Sequence, residues 1–151
     1  MEDLNELMKT RAGIYRMFSS LYFTELTGEQ VEAFSQMDFA ALEGTDPLLE
    51  EGARDIARAL RRVDTTTRED LAVDYAHCFL AAGTTKNERR ACPYESVFTS
   101  EAGLLMQDAR DQVYKMMLAE HLEPDEDLHV PEDHLSFEFE FMADLCDRVA
   151  E

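Results

Sequence analysis

The chain has 151 residues, 45% of them hydrophobic, with few glycines and prolines, and carries 33 Asp+Glu against 14 Lys+Arg for a formal net charge of −19. That length supports one folded domain with a core of its own, and the composition excludes a disordered chain. The acidity argues against nucleic acid and anionic membranes, which need a basic footprint, and favours a cationic partner.

From the N-terminus, Leu4, Leu7, Met8, Ile14, Tyr15, Phe18, Leu21 and Tyr22 recur at spacings of three and four, which predicts a long amphipathic helix over 3–24. The leading MEDLNELMKTR lacks a basic segment followed by an apolar run, so no signal peptide is expected. Gly28 opens a shorter helix with Val31, Phe34 and Met37 on one face. Asp46 before Pro47 reads as an N-cap with proline at the first helical position, and the apolar spacing continues to Val63. Thr66 and Glu69 have capping-box spacing and start a helix running through Leu71, Tyr75 and Phe79. GTTKNERR, 83–90, is a polar loop. Leu104, Leu105, Ala109, Val113, Met116 and Met117 predict a helix over 101–121, followed by an acidic loop, 122–131.

PEDHLSFEFEFM, 131–142, alternates Phe and Glu as a half-buried strand would. Leu135, Phe139, Met142, Leu145 and Val149 nevertheless keep helical spacing to the end of the chain. Pro131 followed by Glu132 and Asp133 suits a helix start. The segment is therefore read as a helix beginning near Pro131, with PEDH facing solvent. No run approaches the roughly 18 apolar residues needed to span a bilayer. The expected architecture is an all-α, single-domain helical bundle.

Cys78, Cys92 and Cys146 are odd in number and widely spaced, as suits reduced thiols in a cytoplasm. No phosphate-binding glycine loop, GxSxG or HExxH is present. His134 and Glu138 stand four apart, where they offer two metal ligands or, with Asp133, an acid–base set; His121 and His129 lie upstream. An ordinary helical pair and a solvated helix start account for the same residues. Cys92, near Arg89 and Arg90, is either an activated thiol or a half-buried structural one.

Three separated segments remain: YAHCF (75–79), PYESVF (93–98) and PEDH (131–134). In this order and spacing they resemble the TorD/DmsD family of redox-enzyme maturation chaperones, with its NarJ-like relatives. Tyr15, Phe18 and the Phe141-Met142 pair agree, and the resemblance covers about residues 10–145. It implies an all-helical, cytoplasmic, non-catalytic protein without cofactors. Such a protein binds the twin-arginine leader and the cofactor-free catalytic subunit of a molybdoenzyme, delaying export until the molybdenum cofactor is inserted. The carried-over partner-binding residues are Tyr75, Cys78, Phe79, Pro93, Tyr94, Pro131, Asp133 and His134. Asp133 and Glu132 would meet the leader's arginines, and Tyr75, Phe79 and Tyr94 its apolar part. Cys78 replaces the family's more frequent Leu. The chain also stops earlier than its family usually does, which implies either a bundle lacking the last helices or one completed by element exchange in a homodimer. Two other readings are a metal-dependent or acid–base helical enzyme using Asp133, His134 and Glu138, and an acidic adaptor for a basic partner.

Overall fold

The computed structural model describes residues 2–38, 44, 46–62, 64, 66–80, 91–123 and 128–151. Every regular element among them is helical: α1 (Glu2–Phe23), α2 (Gly28–Ser35), α3 (Pro47–Ala59) with a 3-10 turn at Leu60–Arg62, α4 (Thr67–Cys78), α5 (Glu95–Thr99), α6 (Asp108–Ala119) and α7 (Leu135–Ala150). Val63, the 83–90 loop with Arg89 and Arg90, and the centre of the acidic loop lie outside the described residues. The chain divides into two compact units, 1–24 with 78–151, and 25–77.

In the unit formed by 25–77, helix starts are set locally. Thr27 and Gln30 make a reciprocal capping box before α2. The Asp46 carboxylate accepts the amides of Leu48 and Leu49 ahead of Pro47, as expected. The start of α4 differs from its expected capping box. Thr66 occupies the cap position, but its hydroxyl donates to Asp64 and Asp70 instead of accepting from Glu69. Asp64 receives the amides of Thr66 and Thr67, while the Asp64 amide donates to the Thr67 hydroxyl. These bonds to its ionised form hold the Asp64 carboxyl below its usual range.

In the other unit, α1 and α7 pack antiparallel. Phe23 at the end of α1 meets Phe137 near the start of α7, whereas Met8 and Ala12 meet Ala143 and Cys146 further along. Ala12 and Ala143, both buried, let the two backbones come close. Above them the Phe139 ring lies 6.1, 5.4 and 6.0 Å from those of Tyr15, Phe18 and Tyr22. Arg16 spans two turns of α7, bonding Glu140 at 3.4 Å and Asp147 at 2.5 Å. Phe139 faces the middle of α1, while Phe137 and Phe141, two positions to either side, lie one turn apart on a different flank of α7, where Phe137 reaches Phe23.

The sequence expectation for 101–121 is too long: α6 begins only at Asp108. Residues 101–107 are irregular, with positive φ at Gly103 (61°) and Met106 (60°), and Leu104 and Leu105 are exposed. At its other end α6 closes with His121 in the left-handed region, φ 61°. The His121 amide reaches the carbonyl of Leu118 and the Leu122 amide that of Met117, the bonding pattern of a Schellman cap. Arg148 of α7 donates to the Glu120 carbonyl at the same helix end, 2.9 Å away.

Candidate partner-binding site

PYES and PEDH are fastened to each other. The Glu95 amide donates to the Asp133 carbonyl at 3.0 Å and the Leu135 amide to the Pro93 carbonyl at 2.8 Å, an isolated antiparallel bridge centred on Tyr94 and His134. Pro93 is buried beside this bridge and has no amide to leave unsatisfied. The Asp133 carboxylate accepts the Ser96 amide at 2.8 Å, so it caps the first turn of α5 from 37 residues away. The Ser96 hydroxyl in turn accepts the Gln107 amide at 3.1 Å just before α6.

The helix of PEDHLSFEFEFM therefore starts at Leu135, four residues later than read from sequence, and PEDH does not face solvent. Asp133 and Ser96 are 0% exposed and His134 only 5%. With Asp133 enclosed and bonded to Ser96, its charge is not presented to a leader's arginines. Glu132 is also engaged: it makes a two-pronged pair with the Arg110 guanidinium, Nε to Oε2 and Nη2 to Oε1, the latter at 2.7 Å. Arg110 lies over the Tyr114 ring, 5.1 Å from its centre, and ties α6 to the lead-in of α7.

His134 is the N-cap of α7. The Ser136 amide donates to its Nδ1 at 3.2 Å, and the Ser136 hydroxyl lies 2.6 Å from the same nitrogen. An atom that accepts an amide proton carries none, so Nδ1 is unprotonated and the ring neutral with its proton on Nε2. Burial lowers the His134 pKa, and the nearby Asp133 charge opposes that only in part. Tyr94 meets the imidazole edge-on at 4.8 Å, and Phe137 and Phe23 stand at 6.0 and 6.3 Å. Burial also raises the Tyr94 phenol, so its hydroxyl is neutral.

Glu138, one turn into α7, is half-buried, and its Oε1 has no hydrogen-bond partner. Burial, with the charges of Glu95 and Asp133, pushes its carboxyl up to about 7. No residue read from sequence as part of the site supplies the missing cation. Glu95 is exposed and borders a polar hollow of about 620 Å3 with Glu101 and Asp108. Asp133 Oδ1 is likewise buried without a hydrogen-bond partner. The sequence reading took Glu138 only as a metal or acid–base candidate and Glu95 only as part of a motif, not as carboxylates that stand without a cation among the described residues. Both lie inside or one turn beyond the motifs, but only the bridge brings them together.

The other expected residues separate. Pro131 is half-buried, its carbonyl accepting the His134 amide. Cys78 is exposed and its carbonyl accepts the Ala91 amide at 3.1 Å. Phe79 lies just past the end of α4, its ring 5.5 Å from Tyr22. Tyr75 is half-buried in the 25–77 unit. Cys92 is partly buried. His121 and His129 are exposed with positive φ, and among the described residues no group of three His, Cys, Asp or Glu side chains is placed to hold a metal ion.

The fold and site define an all-helical protein in which the residues of PYES and PEDH lock two segments together. The family model described as nitrate reductase delta subunit matches residues 43–151. The chain is 33% identical to the chaperone protein TorD of Aliivibrio salmonicida (strain LFI1238), over 96% of this chain and 68% of that protein. It is 29% identical to the chaperone protein TorD of Vibrio parahaemolyticus serotype O3:K6, over 98% of this chain and 69% of that one. A crystal structure from Archaeoglobus fulgidus, described as a redox enzyme maturation protein, superposes with a TM-score of 0.57 at 24% identity, covering 93% of this chain and 74% of that one. The chain belongs to the nitrate reductase delta subunit family, which includes the TorD chaperones. Its relatives are chaperones and not enzymes, which implies a client enzyme. Among the described residues no helix is long and apolar enough to cross a membrane.

Proposed function

We propose that this chain is a cytoplasmic maturation chaperone for the catalytic subunit of a molybdoenzyme of the DMSO, TMAO or nitrate reductase type. It binds the subunit's twin-arginine leader and the subunit itself before cofactor insertion, and delays export. The observation that carries the reading is the bridge between PYES and PEDH, which sets Tyr94 and the unpaired Glu95 and Glu138 beside one another in a strongly acidic protein. A leader joins a basic head to an apolar tail. Its arginines would meet Glu95 and Glu138 in charge-assisted pairs, and its apolar residues Tyr94 and Phe79. Asp133, His134, Pro93 and Pro131 would hold that surface in shape; Cys78 and Tyr75 are kept in the proposal as partner-binding residues on the family resemblance alone.

Calorimetric titration with a leader peptide from a neighbouring molybdoenzyme gene tests this. Replacing both arginines by glutamine, or Glu95 by lysine, should weaken binding by about tenfold or more, since a lost charged contact is worth about 1.5–3 kcal/mol. Affinity should also fall with salt, because exposed pairs are screened over about 10 Å at 0.1 M. Binding indifferent to the arginines, to Glu95 and to salt overturns the reading.

A further inference from the structure

In the Phe-Glu-Phe-Glu-Phe run, Phe137 and Phe141 stand one turn apart on the face of α7 that Phe139 does not share, and there they line a cavity of about 320 Å3 between α1, α7 and the end of α6. Met117 and Leu122, which close α6 in its Schellman cap, complete the apolar floor. The volume is at the small end of the roughly 300–1,000 Å3 range of ligand-binding pockets, enough for one or two bulky side chains. The rim is acidic: Glu123, Glu140 and Asp144 stand against a single guanidinium, Arg16. Arg16 is already held by Glu140 and Asp147, and Asp144 is paired with Arg148 at 2.6 Å. Glu123 is exposed and unpaired among the described residues.

The cavity thus offers apolar contact inside and negative charge at its edge. An anionic lipid or a nucleic acid is repelled, and so is a second copy of a chain that carries −19. We infer that this cavity seats a segment of a partner polypeptide that pairs a bulky apolar side chain with an adjacent lysine or arginine. The contact is distinct from the Tyr94–Glu95 surface and does not depend on the leader-peptide reading. The apolar anchor supplies affinity by filling the space over Phe137 and Phe141, and the acidic rim selects the sign of the neighbouring charge.

Fluorescence anisotropy of the whole chain with three labelled synthetic peptides tests this: an amphipathic leucine–lysine peptide, a leucine–glutamate counterpart and a serine–lysine counterpart. The leucine–lysine peptide should bind at least about tenfold more tightly than either control, as removal of a central anchor or its charge partner costs roughly 1.4 kcal/mol or more. Phe141→Ala and, independently, the surface change Glu123→Lys should each weaken it by about tenfold. Glu123→Lys keeps the test decisive if Phe141→Ala folds poorly. Glu95→Lys lowers affinity for the leader and Glu123→Lys for this peptide, so the two surfaces fail separately. Equal binding of the serine–lysine peptide, which reports charge attraction alone, overturns the inference. So does unchanged affinity in Glu123→Lys, or a concentration-dependent dimer in sedimentation that dissolves on Phe141→Ala.

Discussion

The Asp133 carboxylate and the Ser96 amide, 37 residues apart in sequence, meet at 2.8 Å with neither residue exposed. A short helix, α5, thereby takes its cap from the segment that introduces α7. The motif residue that looked like a surface charge is a clasp between two parts of the chain.

Asp133→Ala should therefore destabilise the fold. It leaves the buried Ser96 amide without an acceptor, which costs about 1–3 kcal/mol. Asp133→Asn keeps an acceptor oxygen and should lose less. Urea denaturation of both variants checks the order. Leader binding in Asp133→Ala should recover when a stabilising condition restores the folded population. An unchanged urea midpoint for the alanine variant would show that the clasp contributes nothing.

Glu138 makes stability fall as pH rises. Its folded carboxyl titrates at about 7 against an unfolded 4.5. Below 4.5 both states hold the proton and there is no penalty. Between 4.5 and 7 the unfolded chain loses it first and stability declines. Above 7 the whole cost of an ionised, half-buried carboxylate is borne. Allowing for partial exposure, Glu138→Gln should stabilise the protein by about 1–2 kcal/mol at pH 8 and by almost nothing at pH 4. Thermal unfolding across that range measures it; a gain equal at both ends would mean packing and not charge.

How much of this could be read from sequence depends on where the partner of each group lies. Asp46 and Pro47 act on neighbours within three residues, so the start of α3 was legible, whereas the equally local Thr27–Gln30 box ahead of α2 was passed over in favour of Gly28. The Phe–Glu alternation resolved correctly as helix because its apolar spacing persists through Leu145 and Val149. The Asp133 clasp was not legible, since an acidic residue ahead of a helix caps its own helix far more simply than one 37 residues back. The irregular 101–107 stretch was missed because Leu104 and Leu105 fit helical spacing. Gly103, whose lack of a side chain permits φ 61°, was the signal against it.

His134 acts in the opposite direction to Glu138. Burial depresses its folded pKa, so its contribution is complete above the unfolded value of about 6.5 and is lost as pH falls from there toward the folded pKa. Protonation of Nδ1 would also take away the acceptor of the Ser136 amide and remove the α7 cap. Because Glu138 takes up its proton in an overlapping window with opposite sign, the test belongs in a Glu138→Gln background. There, melting temperature should fall between pH 7 and 5, and a further His134→Asn change, which retains a capping oxygen, should flatten that fall. A slope unaltered by His134→Asn assigns the acid limb to another group.

The end of α6 gives a prediction about stability alone. His121 holds φ 61° at the position where a Schellman cap favours glycine, and its exposed side chain forms no hydrogen bond or ion pair among the described residues. A left-handed conformation costs an L-residue about 1–2 kcal/mol, partly offset here because glycine has more freedom to lose on folding. His121→Gly should therefore stabilise the chain by up to about 1 kcal/mol, seen as a higher urea midpoint at unchanged slope. Met117 and Leu122 keep their places when the cap keeps its bonds, so the affinity of the leucine–lysine peptide should not change. A His121→Gly variant that is less stable would mean that the imidazole contributes more than its backbone strain costs.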